Sequence, residues 1–453
     1  MEKKMERNFV DYLNEHLIPI GQKISNQRHL AAIKDGMVAA TPLALVGGMT
    51  LIVTSPPVNL ETMQPTNIFF KFLIMWKEWA VANGLAIELL FRASIGMIAF
   101  FVGLVIATSL AKSYKIDPIG PMITSGVAFL IAAAPSNLGV MSTTIQEGQV
   151  AADILVNQTM VIPMSYLGSE GLFTAILIGL GATEIVRFFK EKRLIIKMPD
   201  AVPAPVKASF ENIVPLAVVV IGTFLLSLTV QNVTGGLLIP QLVGVLFQPL
   251  SHVVNSWVGI IIISIVTQLL WFVGLHGSSI VSGIVGIYEL GNLAANSTSM
   301  TQGMAPEFIY TETFRAFFMI LGGAGATIGL NLLMLRSQSE QLKKLGRLAI
   351  VPSLFNINEP IIFGTPLVLN INLLIPFVLV QTVNGMLTYI VMATDLIKKT
   401  VAYVPWTTPA PLGAMITTYD WKAFIWVSLL IIVDMVIWYP FFKSYEKQLL
   451  STE

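Results

Sequence analysis

The chain has 453 residues, of which 55% are hydrophobic and 12% are charged, and its mean hydropathy is +0.75. Soluble domains carry about 25% charged residues, so this composition argues against a soluble protein and indicates an integral membrane protein. The net charge of +1 excludes the basic surface that nucleic-acid binding needs, and the absence of cysteine excludes disulfides and thiolate metal sites.

Uncharged apolar stretches long enough to cross a bilayer recur along the chain, and a spanning helix needs about 20 such residues. Their polarity does not alternate, which favours helices over the strands of a membrane barrel. The predicted spans are 36–55, 85–111, 119–135, 172–187, 212–232, 254–275, 315–335, 372–394 and 423–442. Shorter or Gly- and Pro-broken apolar pieces, predicted to be re-entrant or interfacial, are 237–250, 278–292 and 348–370. The predicted fold is an all-α polytopic membrane protein with about ten transmembrane helices, re-entrant hairpins and amphipathic interfacial helices.

Basic residues concentrate in two connecting segments, 187–197 and 336–347, whereas 116–186 and 208–314 contain no Lys or Arg. The positive-inside rule assigns such basic loops to the cytoplasm. We therefore expect both termini in the cytoplasm and 136–170 outside.

The stretch KMPDAVPAPVKASFENIVP (197–215) contains four prolines and follows the densest basic cluster. Proline breaks helices, so this stretch predicts a surface linker between two membrane bundles, 1–200 and 201–453. An ordinary cytoplasmic loop is the alternative interpretation.

An acid stands in FNINEPIIFGTP (355–366), at the start of a run, 360–394, that lacks Asp, Glu, Lys and Arg. An ionisable group within the bilayer costs at least about 2.5–3.5 kcal/mol, and such groups mark functional sites. Pro360 interrupts helical hydrogen bonding there, and the Glu359 carboxylate is a good acceptor for sugar hydroxyls. The alternative is an ion pair with Arg347 at the membrane edge.

His276 lies in WFVGLHGSS (271–279), where glycines on either side allow a sharp turn. A neutral imidazole both donates and accepts a hydrogen bond, which suits a hydroxyl ligand. A structural histidine bound to a neighbouring carbonyl is the alternative.

Two further residues, Trp406 and Asp434, have two interpretations each, and two other features have one. Trp406, in YVPWTTPAP, is either a platform for a sugar ring or a membrane-interface tryptophan. Asp434 is either a functional acid or a partner for a neighbouring helix, and Glu289 has the surroundings of a loop residue. LGGAGATIG (321–329) predicts close helix packing through Gly325 and Gly329.

The chain contains no GxxxxGK[ST] phosphate loop and no HExxH zinc site. With four histidines and no cysteine, we predict that it needs no metal and no cofactor.

WFVGLHG, MPDAVPAPVKASF and above all FNINEPIIFGTPLVLN resemble the membrane component, enzyme IIC, of the bacterial phosphoenolpyruvate-dependent sugar phosphotransferase system. The resemblance runs from about residue 10 to the end and is strongest to the lactose, cellobiose and N,N′-diacetylchitobiose branch. It implies a homodimeric permease of the bacterial plasma membrane that takes up a β-linked disaccharide. The N-terminal bundle would form the dimer, and the C-terminal bundle, with re-entrant hairpins, would bind the sugar and move like an elevator.

The resemblance also implies partners and roles. The sugar 6-hydroxyl would be phosphorylated by a separate IIB protein through a phosphocysteine, which IIA recharges. Glu359 would accept the proton or hydrogen bond of that hydroxyl, His276 would orient it, Asn358 would bind the ring and Trp406 would stack on it. Gly277, Ser278 and Asn356 would be further sugar-binding residues. The chain is then a transporter component, because the phosphoryl donor lies on IIB.

Two other classes stay open. An ion-coupled sugar symporter would use Glu359 and Asp434 as proton carriers, and an intramembrane enzyme would convert its substrate without transport. The sequence leaves the identity of the disaccharide, the facing state and the role of Arg92 undecided.

Overall fold

The structure is a computed structural model that describes residues 23, 27–54, 56, 68–133, 162–199, 201–365 and 367–451. All regular secondary structure in these residues is helical. In the order of the chain, the helices are α1 (Arg28–Ala39), α2 (Thr41–Thr54), α3 (Ile68–Ala93), α4 (Ile98–Ser113), α5 (Ile119–Ala133), α6 (Leu172–Glu191), α7 (Ala204–Glu211), α8 (Ile213–Thr234), α9 (Ile239–Val254), α10 (Trp257–Phe272), α11 (Gly277–Thr301), α12 (Ile328–Met334), α13 (Glu340–Leu354), α14 (Glu359–Gly364), α15 (Ile371–Ala393), α16 (Ala410–Thr418) and α17 (Trp421–Leu450). Between α11 and α12, a short helical turn, Glu312–Phe314, continues into a π-helix, Arg315–Met319.

Contacts divide the chain into two compact units. The first unit consists of Ala31–Thr41 and Ile95–Pro249, and the second consists of residues up to Leu30, Pro42–Ser94 and the chain from Leu250 onwards. The predicted boundary at 200 and 201 differs from this division. Residues 201–249 group with the preceding helices because α8 packs against α5 and α6.

In the first unit, α4 packs against α5 and α6 with glycine at the closest approach. A Cβ on Gly179 would lie 2.9 Å from the Gly103 carbonyl oxygen, and a Cβ on Gly103 would lie 3.2 Å from that of Ala175. Helices in lipid gain little from the hydrophobic effect when they associate, so small residues that allow close backbone contact stabilise the bundle.

In the second unit, α10 packs against α15, and α17 packs against α12, α15 and α16. Phe314, Phe317 and Trp438 fill its centre and have no exposed surface. A Cβ on Gly329 would lie 2.7 Å from the Asp434 Cβ, so α12 can approach α17 this closely only through glycine. The predicted packing role of Gly329 is therefore confirmed.

Six described helices are long and apolar enough to cross a membrane, and a seventh span results if α9 and α10, which bend by 74° at their junction, form one. Their outward faces are apolar, as on α8, where Ile221, Phe224 and Leu225 are exposed. Such a surface needs lipid around it. The all-helical polytopic membrane fold is confirmed, while the described residues supply fewer spans than the predicted total.

The predicted span 315–335 is wrong, because the chain there is a π-helix, an irregular segment and then α12. Gly322, Gly323 and Gly325 adopt positive φ angles of 73°, 109° and 78°, which a helix cannot accommodate. Conversely, 278–292 was predicted to be broken and forms the continuous helix α11. We call residues 321–327 the glycine loop.

Candidate functional site

Glu359 lies in the first turn of α14, after a sharp bend in the chain. Asn356 makes this bend with a φ of 60°, a left-handed conformation that asparagine tolerates better than most residues. Pro360 sits in the first turn of α14, where its missing N–H breaks no helical hydrogen bond. The Glu359 side chain is exposed, and within the described residues it forms no ion pair, either with Arg347 or with another cation.

Asn356 joins three segments through its side chain. Its Oδ1 accepts the Gly322 N–H at 3.0 Å, and its Nδ2 donates to the carbonyl oxygens of Trp406 at 2.6 Å and Thr408 at 3.1 Å. The side chain is buried. Asn356 therefore fixes the bend before Glu359 against both the glycine loop and the backbone of Trp406.

Asn358 fastens the start of α14 to the glycine loop. Its Nδ2 donates to the Ala324 carbonyl oxygen at 2.7 Å and to Thr327 Oγ1 at 2.8 Å. A Cβ on Gly323 would lie 2.2 Å from Asn358 Cγ, so this approach requires glycine. The residue directly before Glu359 is thus fixed to the glycine loop.

These bonds change the expectation for both asparagines. The sequence predicts Asn356 and Asn358 as sugar ligands, yet both side chains are buried and both donate their amide hydrogens within the chain. An amide group has two hydrogens, so neither side chain has a hydrogen left to donate to a sugar, and contact with a sugar through the amide oxygens stays a prediction. In this structure both asparagines position the Glu359 segment.

His276 is the N-cap residue of α11, and its ring is exposed. Its Nδ1 accepts the Ser279 N–H at 3.2 Å, and its ring centroid lies 4.3 Å from that of Trp271. In a neutral imidazole, an accepting Nδ1 leaves the hydrogen on Nε2, which makes Nε2 a donor. The local structure therefore presents His276 as a fixed hydrogen-bond donor.

Gly277 and Ser278 support this arrangement. A Cβ on Gly277 would lie 2.1 Å from the Thr267 carbonyl oxygen, so glycine lets α11 start against α10. Trp271 Nε1 donates to Ser278 Oγ at 3.2 Å, which holds the indole beside the imidazole. Both residues shape the surroundings of His276, and their contact with a ligand stays a prediction.

The segments that carry Glu359 and His276 adjoin each other. The Leu369 N–H donates to the Phe272 carbonyl oxygen at 2.9 Å, and a Cβ on Gly274 would lie 3.5 Å from Val368 Cγ1. The chain just after α14 therefore packs against the chain just before His276. Convergence of the carboxylate and the imidazole on one ligand stays a prediction.

Trp406 exposes 48% of its surface while Asn356 holds its carbonyl oxygen. An exposed indole on an anchored backbone presents a rigid apolar face. This geometry is compatible with a sugar platform and with an interface tryptophan.

The basic helix α13 lies beside α14. A Cβ on Gly364 would lie 2.6 Å from Leu345 Cδ1, so the two helices pack closely at that glycine. α13 carries Lys343, Lys344 and Arg347. The acid and a group of cations therefore belong to adjacent helices.

Glu446 on α17 fixes the residues that directly precede α13. Its carboxylate, almost fully buried, accepts the Ser337 hydroxyl at 2.5 Å, the Gln338 N–H at 2.8 Å and Lys443 Nζ at 2.6 Å. This fixes the beginning of the basic segment 336–347.

Sequence reasoning missed a buried charged cluster between α11 and the π-helix. Glu289 lies within α11, not in a loop, and accepts from Arg315 Nε at 2.7 Å and the Tyr310 hydroxyl at 2.8 Å. Burial raises the pKa of Glu312 to about 7, while Arg315 acts in the opposite direction. The signal in the sequence is that Arg315 is the only Lys or Arg between Lys207 and Arg336, so it requires an acidic partner such as Glu289.

Two other ionisable residues have distinct surroundings. Asp434 and Asn384 are fully buried neighbours, and within the described residues neither side chain makes a hydrogen bond of ordinary geometry. Arg92 is exposed and pairs with Glu88 at 3.0 Å, one helical turn away. The described residues contain no group of three or more His, Asp or Glu side chains that could hold a metal ion.

Known proteins resemble the chain over almost its whole length. A cellobiose-specific EIIC component of Geobacillus stearothermophilus is 35% identical, and the match covers 98% of this chain and 96% of that protein. A lactose-specific EIICB component of Staphylococcus aureus (strain N315) is 30% identical, and the match covers 96% of this chain and 72% of that longer protein.

A solved structure has the same fold. The transporter ChbC, the IIC component of an N,N′-diacetylchitobiose-specific phosphotransferase system, matches with a TM-score of 0.84 and 33% identity, over 96% of this chain and 98% of that one. The family described as "Phosphotransferase system, EIIC" matches residues 34–380. The apolar spans, and the NEP segment 358–360 that the glycine loop holds in place, agree with this match. The chain therefore belongs to the EIIC family of the phosphotransferase system and is a multi-pass membrane permease component.

Proposed function

We propose that the chain binds a β-linked disaccharide of the cellobiose, diacetylchitobiose or lactose class, carries it across the membrane and presents its 6-hydroxyl to phospho-IIB. The relatives named for cellobiose, lactose and N,N′-diacetylchitobiose support the substrate class. The observation that carries the proposal is Glu359, an exposed carboxylate with no ion pair among the described residues, on a rigidly held helix beside the basic helix α13.

The chemistry assigns one step to each polar group. The hydroxyl oxygen of the sugar forms a bond to phosphorus, and the sulfur–phosphorus bond of phosphocysteine on IIB breaks. Glu359 takes the hydroxyl proton as general base. His276 donates from Nε2 to the sugar and holds the hydroxyl in line, and Trp406 stacks against the apolar face of a ring.

The partner is a IIB component, itself recharged by IIA. This chain contains no cysteine that could carry the phosphoryl group. The lactose-specific relative is named EIICB and is longer, which supports the association of the two components. The cations of α13 attract the dianionic phosphoryl group and its carrier. Cytoplasmic termini, homodimerisation through the N-terminal bundle and elevator-like movement of the C-terminal bundle belong to the same proposal.

Phosphorylation and proton coupling are separated by one assay. Membrane vesicles containing the full chain receive IIA, IIB and the general phosphotransferase proteins, and a panel of cellobiose, diacetylchitobiose and lactose is offered with or without phosphoenolpyruvate. We expect phosphorylated disaccharide only with phosphoenolpyruvate and IIB. Free disaccharide accumulating in response to a pH gradient alone would contradict the proposal.

Asp434 favours the symporter as a second candidate function. It is a fully buried acid within α17, next to the buried amide of Asn384, and an acid inside a spanning helix is typical of proton carriers. The same vesicle assay decides between the two functions, because a symporter needs neither IIB nor phosphoenolpyruvate.

A further inference from the structure

Two buried glutamines connect the helix before His276 to the glycine loop. Gln268 lies one turn before the end of α10, and Gln381 lies in the middle of α15. Gln268 Nε2 donates to Gln381 Oε1 at 2.5 Å. The two side chains are 0% and 1% exposed, so this bond is shielded from solvent and lipid.

The same oxygen continues the chain of hydrogen bonds. Gln381 Oε1 also accepts the Gly325 N–H at 3.1 Å. Gly325 has a φ of 78°, and a Cβ there would lie 2.3 Å from Phe377 Cδ2, so glycine is needed for the loop to lie this close to α15. Gln381 is therefore bonded to α10 on one side and to the glycine loop on the other.

The glycine loop is in turn bonded to the residue before Glu359. Asn358 is bonded to Ala324 and Thr327 in this loop, and the next residue is Glu359. A continuous path thus runs from α10 through Gln268, Gln381, the loop and Asn358 to the carboxylate.

The burial of Gln268 and Gln381 requires a physical explanation. Burying amides costs free energy unless every group is bonded, and Gln268 Oε1 lacks a partner within the described residues. Apolar side chains would fill the same space, but they would allow α10, α15 and the loop to slide, whereas hydrogen bonds are directional.

We propose that Gln381 is a positioning residue, which with Gln268 sets the His276-bearing and Glu359-bearing segments in register for phosphoryl transfer. The inference rests on the proposed function of that site. Neither glutamine touches the sugar, so disaccharide affinity depends on them less than the rate of transfer does.

The test uses Gln381→Met and Gln268→Met, which keep the side-chain length and remove the bond from either side. The matched control is Thr382→Val, which removes a different bond between the same helices, from Thr382 Oγ1 to Ser264 Oγ at 2.9 Å. Each full-length variant is purified, checked for a single species by gel filtration, titrated with cellobiose and diacetylchitobiose, and assayed for phosphorylation by phospho-IIB at saturating sugar.

We expect both glutamine variants to lose about tenfold to a hundredfold in rate, since small misplacements of reacting groups cost that much, while the dissociation constant changes by less than about threefold. The control should keep its rate. If both glutamine variants match the control, the positioning role is wrong.

Glu359→Gln, assayed in parallel, distinguishes failure of this inference from failure of the proposed function. An inactive Glu359→Gln beside fully active glutamine variants overturns this inference alone. A fully active Glu359→Gln overturns the proposed function, and this inference with it. If Gln381→Met does not fold, Gln268→Met alone decides, because it breaks the same bond from α10.

Discussion

At the scale of single residues, the candidate site depends on asparagine side chains that act as backbone caps. Asn356 and Asn358 bond to backbone groups that no helix or strand would satisfy, and they hold the bend from which Glu359 projects. The motif FNINEP can be recognised in the sequence, but the two directions of its side chains, asparagines inward and glutamate outward, cannot be inferred from it.

Glu359→Gln keeps the size of the side chain and removes the base. We expect phosphorylation by phospho-IIB to fall by about a hundredfold or more, which is the usual contribution of general base catalysis. The variant should assemble normally, because Glu359 is exposed and unpaired in the described structure. Phosphorylation of radiolabelled disaccharide measures the effect, and an unchanged rate at unchanged affinity would refute the role of Glu359.

Trp406→Ala tests the sugar platform. Removing an aromatic face costs about 1 kcal/mol, so we expect the dissociation constant for the disaccharide to rise about fivefold. Trp421→Ala is the matched control, since Trp421 is also exposed but begins α17. Equal affinities in the two variants, measured by calorimetry, would show that Trp406 is a membrane-interface tryptophan and not a sugar platform.

At the scale of elements, the glycine loop is the support of α14. It cannot continue the helix because three glycines adopt positive φ. Neighbouring side chains bond the Gly322 N–H, the Gly325 N–H and the Ala324 carbonyl oxygen. Composition shows that 315–335 is apolar and glycine-rich, which is compatible with a tightly packed span. Only the side chains that arrive from α14 and α15 convert it into a loop.

Gly323→Ala should destabilise the protein through a direct collision. The new Cβ would lie 2.2 Å from Asn358 Cγ, and alanine at a φ of 109° adds backbone strain of about 1–3 kcal/mol. We expect a clear fall in the thermal midpoint in detergent, together with loss of phosphorylation.

Gly303→Ala is the control for Gly323→Ala. Gly303 also has a positive φ, of 70°, but nothing lies within 4 Å of its Cβ position. It should show the strain without the collision, at a cost of about 1–2 kcal/mol. If the two variants have the same thermal midpoint, the contact with Asn358 contributes nothing.

At the scale of the whole molecule, charge is distributed as the proposed permease, which receives a phosphorylated partner, requires. The long uncharged stretches form helices with apolar outer faces, and the basic segment 336–347 includes α13, which adjoins α14. A buried carboxylate, Glu446, fixes the start of that segment. The arrangement places the cations of α13 on the helix next to Glu359, and in the part of the chain that the structure describes none of them forms an ion pair with it.

Neutralising α13 should weaken the encounter with IIB. We expect the double variant Lys343→Gln, Lys344→Gln to raise the KM for phospho-IIB several-fold at low salt, with a smaller difference at high salt because ions screen exposed charges. Lys71→Gln, Lys77→Gln on α3 removes the same charge elsewhere and should leave this KM unchanged. A KM without salt dependence in the α13 variant would argue against this docking face.

The sequence by itself determined the membrane class, most spanning helices and the position of the acid, because apolar length and the cost of a charge in lipid are local properties that each stretch of chain carries. It also identified His276 and Trp406 as candidates. The tertiary structure decided what lies beneath them: the broken span at 315–335, the buried asparagines, and the two glutamines that link α10 to the glycine loop. Those features depend on hydrogen bonds between residues as much as 113 positions apart, and no local pattern of residues encodes such a partner.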